Sequence, residues 1–199
     1  MDFPERQTNE ERSTRTREAL LDATLECLIE KGYAGMTTND VVKRAGVSRG
    51  ALAHHFPSKT ELVAAASVHL IRRRQEMLAR QILDNDQGDL GFRERLDMIR
   101  QEYTRWFPAT IEFMVAARTD EHLSRLFSEE MEPHAEELTD LSLSEFAEFS
   151  NHSSPHLIQY VLGCFVRGLC LERIVNSDEL VDEIFEEFSR MLEVYARHG

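Results

Sequence analysis

Between positions 37 and 62 the chain gathers side chains that donate hydrogen bonds or positive charge: Thr37, Thr38, Ser48, Arg49, His54, His55 and Lys59. What they share is the ability to meet phosphate oxygens and base edges. Arg49 carries a planar fork that can meet a guanine edge through two parallel bonds. Its neighbours Gly50, Ala51 and Ala53 are small, which lets a helix sink into the major groove of DNA. Phosphate contacts would fix register, and one or two side chains would read sequence. His54 and His55 also have a plainer reading, as helix-end residues favoured by the dipole at a C-terminus. They make a poor chelating pair, because adjacent helical side chains diverge by about 100°. His152 and His156 have Pro155 between them and no third ligand following, so no metal is expected there.

Short helices must position these donors. From Ser13 to about Lys31, Leu21, Leu25 and Leu28 form an apolar stripe with Leu20, Ala23 and Cys27 beside it, and Gly32 and Gly35 end that helix. Thr37, with Asp40 three residues on, reads as the N-cap of a second helix and its reciprocal acid. The free N–H groups of that helix start favour phosphate beside Thr37 and Thr38. The second helix carries Val41, Val42 and Ala45 and stops at Gly46. Ser48 caps a third, ending near Phe56, with Val47, Leu52 and Phe56 turned inward. Two short helices joined through Gly46 make a helix-turn-helix.

Strand-like alternation is absent, so the fold class is all-α. Further helices are expected at about 59–83 and at 92–107 up to Pro108, with a loop at 85–89 between them. One or two helices follow over 109–131 with a break near Thr119, then one from Pro133 to about Phe149. After the polar break SNHSSP, two long apolar helices run over 156–175 and 178–197. The domain reading is a disordered arm at 1–12, a helix-turn-helix domain at 13–58 and a helical body at 59–199.

The run from Thr16 to about Leu62 resembles the tetracycline-repressor (TetR) family of transcription regulators, through G-Y-x-G-x-T-T … A-G-V-S-R-G-A-L-x-H-H-F-x-S-K-x-x-L. The resemblance implies a homodimer on operator DNA. A three-helix DNA-binding domain would be followed by a helical domain for a small-molecule effector and for dimerisation. By the same resemblance Thr37 caps the second helix, and Thr38 and Asn39 occupy DNA-contact positions. Ser48, Arg49, Gly50 and Ala51 match contacts at the start of the recognition helix, and His54, His55 and Lys59 match backbone contacts. The family usually has an aromatic, most often tyrosine, where this chain has Ala53. Alanine has far less reach, which leaves the operator preference at that position open.

In the body, Val161, Phe165 and Leu169 form one stripe with Leu157, while Val181, Ile184, Phe185, Phe188, Met191, Leu192 and Tyr195 form a wider one. Gly163 and Gly168 would let another helix approach closely. Such faces can pack within one chain or bury each other in a four-helix bundle of two copies. The resemblance favours the dimer, with Val161, Phe165, Leu169, Ile184, Phe188, Met191 and Tyr195 at its interface. The stretch WFPATIEFMVAARTDEHL supplies candidate effector contacts in Trp106, Phe107, Phe113, Met114 and Arg118, joined by Phe127 and Met131. Helically spaced aromatics and methionines also build ordinary cores. Arg118 can equally be ion-paired with Asp120 or Glu121.

Charge and composition bound the rest. The net charge is −13, but it is unevenly spread: residues 1–60 hold nine Lys/Arg and nine Asp/Glu, and residues 61–199 hold 14 and 27. A neutral head can approach a duplex while an acidic body is repelled to one side. The acidic body favours a neutral, lipophilic or cationic effector. No apolar run approaches the roughly 20 residues of a membrane span, and the polar start lacks a signal-type core. Cys27, Cys164 and Cys170 all lie in apolar helical patterns, as expected of buried free thiols in a reducing cytoplasm. No nucleophile elbow, phosphate loop or zinc spacing is present, so no cofactor or enzymatic activity is expected. The reading is a ligand-responsive repressor; activation in place of repression, or a helical interaction module with a weakened DNA head, remains the alternative.

Overall fold

The computed structural model describes residues 8–83, 90–144, 149 and 154–198, and all regular elements among them are helices. α1 (Asn9–Gly35) begins a turn ahead of Ser13. The cause is a capping box: Thr8 Oγ1 accepts from the Glu11 N–H, and the Glu11 carboxylate accepts from the Thr8 N–H. Gly32, at φ 67° and ψ 168°, kinks the end of α1 in a conformation that is essentially glycine's alone. α2 (Thr38–Ala45) ends at Gly46, which is left-handed at φ 65°, and α3 (Arg49–His55) follows. Val41, Leu52 and Phe56 are buried with the α1 residues Leu20, Leu21, Leu25 and Leu28.

The remaining helices are α4 (Lys59–Leu83), α5 (Phe92–Ala117), α6 (Glu121–Met131), α7 (Ala135–Ser144), α8 (Pro155–Glu172) and α9 (Asp178–His198), with a 3-10 turn at Glu132–His134 ahead of α7. Two compact units result. One is Met1–Leu70 with Pro108–Glu132; the other is Ile71–Phe107 with Pro133–Gly199. The helix expected to stop at Pro108 instead continues to Ala117. A mid-helix proline costs roughly 3 kcal/mol, and Phe107 and Ala109 on either side of it are buried, which offsets that loss. The break near Thr119 is present: α5 ends, and the Asp120 carboxylate caps α6 by accepting from the Leu123 N–H at 3.0 Å.

In the second unit α8 neighbours both α7 and α9. Leu162, Val166, Leu169, Cys170, Val181, Phe185 and Leu192 are buried, and the Phe165 and Phe188 rings stack with centroids 3.6 Å apart. Arg173 ion-pairs with Asp178 and Asp182, each at 2.9 Å, across the α8–α9 turn. One expectation fails here. Cys27 and Cys170 are buried, but Cys164 is exposed. It shares an α8 face with Leu157, Tyr160 and Val161, whose apolar pattern is left uncovered in the single chain. No described helix is long and apolar enough to cross a membrane. The loop read at 85–89 and the part of the polar break containing His152 lie outside the described residues.

Candidate nucleic-acid interface

The recognition surface begins with the cap of α3. Ser48 Oγ accepts from the Ala51 N–H at 3.1 Å, which fixes the first turn and leaves the hydroxyl proton free to donate outward. Arg49, Gly50, Ala53 and His54 are exposed, and Ala51 is half-buried. Leu52 and Phe56 are buried on the opposite side. Among the described residues the Arg49 side chain makes no ion pair. The small outer residues and the unpaired guanidinium therefore share one exposed face.

α2 is held more tightly. Thr37 Oγ1 accepts from the Asp40 N–H at 3.2 Å and donates to the Asp40 carboxylate at 2.7 Å. Lys31 Nζ reaches the same carboxylate at 2.6 Å. The Lys31 bond, and then those from Thr37, hold the Asp40 carboxyl well below the usual carboxylate range. Thr37 thus spends its side chain on the cap, while Asn39 is exposed and Thr38 half-buried. Arg44, in the last turn, bonds Glu26 at 3.0 Å and also Glu30, so its charge is committed to α1.

Lys59 has a framework role that its spacing did not reveal. Its ammonium donates to the Met36 carbonyl at 2.9 Å and to the Tyr33 carbonyl, and lies 4.5 Å from the Tyr33 ring centroid. Burial pushes its pKa down. Two of its three N–H groups tie α4 to the α1–α2 turn, leaving one for a phosphate. Glu112, on α5, completes the clamp: its carboxylate accepts from the Tyr33 N–H at 2.8 Å. Glu112 was missed because it lies far along the chain and no local spacing points to it.

His54 and His55 sit edge to face, 5.3 Å between ring centroids, at the end of α3. His54 is exposed and His55 half-buried. Burial, then the neighbouring His54 and Arg17, push the His55 pKa below its ordinary value.

The candidate effector residues are divided between the two units. Phe113 and Phe127 meet with centroids 4.8 Å apart, Met131 is half-buried, and Met114 and Arg118 are exposed, all within the first unit. Among the described residues Arg118 pairs with neither Asp120 nor Glu121. Phe107, buried, and Trp106, with Arg105 over its ring, belong to the second unit. Of the candidate interface residues, Val161, Ile184, Met191 and Tyr195 are exposed, alongside Leu157, Tyr160 and Val194. Phe165 and Phe188 are half-buried against each other, and Leu169 is buried in its own unit.

The sequence reading also missed Arg74. It is only 8% exposed, and its guanidinium carbon lies 3.8 Å from the Tyr103 ring centroid. Its Nε is buried with no hydrogen-bond partner, and among the described residues no carboxylate pairs with it. Taking such an ion out of water costs several kcal/mol, while a desolvated cation–π contact returns about 2 kcal/mol. Nothing local in the run Arg72, Arg73 and Arg74 marks its last member for burial.

Comparison with known proteins agrees with this geometry. Residues 20–66 match the family described as bacterial regulatory proteins, tetR family. The HTH-type transcriptional regulator CymR of Pseudomonas putida is 30% identical over 202 residues, covering 94% of this chain and 99% of that one. An uncharacterized HTH-type transcriptional regulator of Mycobacterium tuberculosis is 27% identical over 179 residues, 88% of this chain and 92% of its own. Among solved structures, a putative TetR-family transcriptional regulator from Rhodococcus sp. shares the fold, with a TM-score of 0.67 at 22% identity, covering 91% of this chain and 98% of that one.

Proposed function

The chain belongs to the TetR family of bacterial regulatory proteins, and from that premise we propose that it is a ligand-responsive repressor, binding a palindromic operator as a homodimer and leaving it when a small-molecule effector binds. As a family member it is a DNA-binding transcriptional regulator and not an enzyme. Its place of action in this reading is the cytoplasm.

The observation that carries the reading is the presentation of α3: Ser48, Arg49 and Gly50 exposed, with Leu52 and Phe56 anchoring the same helix from beneath. Arg49 reads a base edge in the major groove. Ser48, Gly50 and Ala51 admit the helix to close range. Thr38 and Asn39, at the α2 start that the Thr37 cap fixes, meet backbone phosphate, as do His54, His55 and the remaining N–H of Lys59. Two such helices must lie about 34 Å apart to enter successive turns of one groove.

The uncovered apolar side chains of α8 and α9 support the dimer. Tyr160 is 74% exposed and Met191 64%, with Val161, Ile184 and Tyr195 beside them in sequence pattern. Exposed apolar side chains repeating at helical spacing are what an interaction surface needs, and packing two copies would bury them. The effector acts only by binding the DNA-competent and released arrangements unequally.

The test uses the full chain, sedimentation, and fluorescence anisotropy with duplexes from the region upstream of its own gene. A dimer at micromolar concentration is expected, binding a short palindrome with affinity that falls steeply as salt rises. A monomer at that concentration, or no binding to any such duplex at low salt, refutes the proposal.

A further inference from the structure

We propose that Arg74 is the recognition point for the carboxylate of a small monoanionic effector. This rests on the effector-responsive reading above and names the chemistry of its ligand. The second unit is rich in arginines that have found acids. Arg93 meets Glu186 at 2.6 Å, Arg100 meets Asp97 at 2.7 Å and Asp182 at 2.6 Å, and Arg173 meets Asp178 and Asp182. Arg74 departs from that pattern, although residues 61–199 hold 27 carboxylates against 14 cations. It is nine-tenths buried, rests on an aromatic face, and has an Nε with no acceptor.

The surroundings hold the guanidinium ready. Tyr103 supports its plane at 3.8 Å from the ring centroid. The other end of that tyrosine is fixed at Gly163: a Cβ there would fall 3.0 Å from the Tyr103 hydroxyl oxygen. A side chain at that position would make the Tyr103 hydroxyl give by a few tenths of an ångström. Among the described residues the terminal guanidinium nitrogens make no hydrogen bond, so an incoming acid would find the fork uncommitted. A guanidinium and a carboxylate match through two parallel bonds. A multiply charged anion is disfavoured by the net negative charge of residues 61–199, which leaves a single carboxylate on an uncharged body. The local charge at Arg74, and not the net charge of the body, sets the ligand class, and so replaces the expectation of a neutral or cationic effector.

The test is thermal unfolding of the full chain as wild type, Arg74→Met and Arg74→Lys. The probes are acetate, octanoate, benzoate and phenylacetate, each paired with its amide. Without any ligand, Arg74→Met should melt higher than wild type, because it removes an uncompensated charge and keeps the volume. A wild type that melts higher than Arg74→Met makes Arg74 structural and overturns the proposal. At a carboxylate concentration of about 100 times its Kd, wild type should gain roughly 5 to 10 °C in melting temperature. The matched amide should give no gain, Arg74→Met should lose the response, and Arg74→Lys should keep part of it. No response to any of the four acids, or an equal response to an acid and its amide, also overturns it. The same samples with operator DNA separate the two readings. Acids that bind through Arg74 without changing DNA affinity uphold the site and refute effector release. An uncharged compound that releases DNA equally from wild type and Arg74→Met upholds release and refutes the site.

Discussion

Two glycines bracket α2, and alanine should be tolerated very differently at each. Gly32 and Gly46 both have positive φ, at 67° and 65°. At Gly46 an added Cβ meets nothing within 4 Å, so Gly46→Ala bears only the left-handed backbone penalty, about 1–2 kcal/mol. At Gly32 the backbone is in the region that side chains avoid almost entirely, a penalty of about 1–3 kcal/mol. There the Cβ would also fall 2.8 Å from Glu112 Oε2. That oxygen ends a flexible side chain and could move, but it accepts the Tyr33 N–H at 2.8 Å. Losing a hydrogen bond to a charged group adds about 1.5–3 kcal/mol. Gly32→Ala should therefore cost roughly 2.5–6 kcal/mol in all. Urea midpoints of Gly32→Ala, Gly46→Ala, Glu112→Ala and the double variant Gly32→Ala/Glu112→Ala form the assay. In the Glu112→Ala background, alanine at residue 32 should cost only its backbone share, so the cycle shows coupling of about 1.5–3 kcal/mol. Equal losses at the two glycines, or strict additivity in the cycle, refute the clamp.

Arg49→Ala should relax base preference more than it weakens non-specific binding, read as the ratio of affinities for operator and scrambled duplex; an unchanged ratio removes Arg49 from base readout. Lys59→Met should weaken binding to every duplex alike and flatten the salt slope by about 1; a lower thermal stability with an unchanged slope confines Lys59 to its two carbonyls. His55 is held below its ordinary pKa in the free protein, so meeting a phosphate takes up a proton. Operator affinity should then rise as pH falls through the region just below 6.5, a trend that His55→Gln weakens; an identical pH profile in that variant rejects the contact. Asp40 has a lowered pKa, so its stabilisation is present above its ordinary value near 3.8 and lost as pH falls below it. Asp40→Asn should lower stability at pH 7 and shrink the acid-side decline in melting temperature, and an undiminished decline argues against the Lys31 and Thr37 bonds.

The legible parts of the structure are those with local causes. Thr37 and Asp40 lie three apart and cap the same turn, Gly46 supplies the left-handed turn, and Ser48 caps α3; each is a short-range signal with a stereochemical reason. The start of α1 at Asn9 was available by the same logic in Thr8 and Glu11, but the polar composition there outweighed it. The passage of α5 through Pro108 was not legible, because burial of the flanking residues, not local propensity, decides it. Cys164 and Leu169 show the limit of periodicity. Both occupy apolar α8 positions, yet one is exposed and the other 5% exposed, since the pattern does not say which apolar face meets the chain's own core. Lys59, Glu112 and Arg74 acquire their roles from partners, or from the lack of one, that only the fold brings into view.

The clamp at Tyr33 bears on how an effector response reaches the DNA-binding helices. The backbone of this turn is bonded twice, its N–H to Glu112 and its carbonyl to Lys59. Lys59 also holds the carbonyl of Met36, next to the cap of α2. The entry angle of α2 is therefore set by one residue of α4 and one of α5, both outside the helix-turn-helix. The segment from Pro108 to Glu132 forms part of the same compact unit as that motif, and Arg17 on α1 meets Glu130 on α6 at 3.0 Å within it. A shift of about 1 Å in this half of α5 would carry the Glu112 oxygen beyond good hydrogen-bond range of the Tyr33 N–H. The turn, which has no side chain at Gly32, would then lose this restraint, and the positioning of α2 and α3 with it. In the proposed repressor the lever on DNA is then the carboxylate of Glu112. Glu112→Gln, which keeps an acceptor but not the charge, should retain more operator affinity than Glu112→Ala. If both lose affinity equally, or neither does, the turn is not the point through which α5 acts.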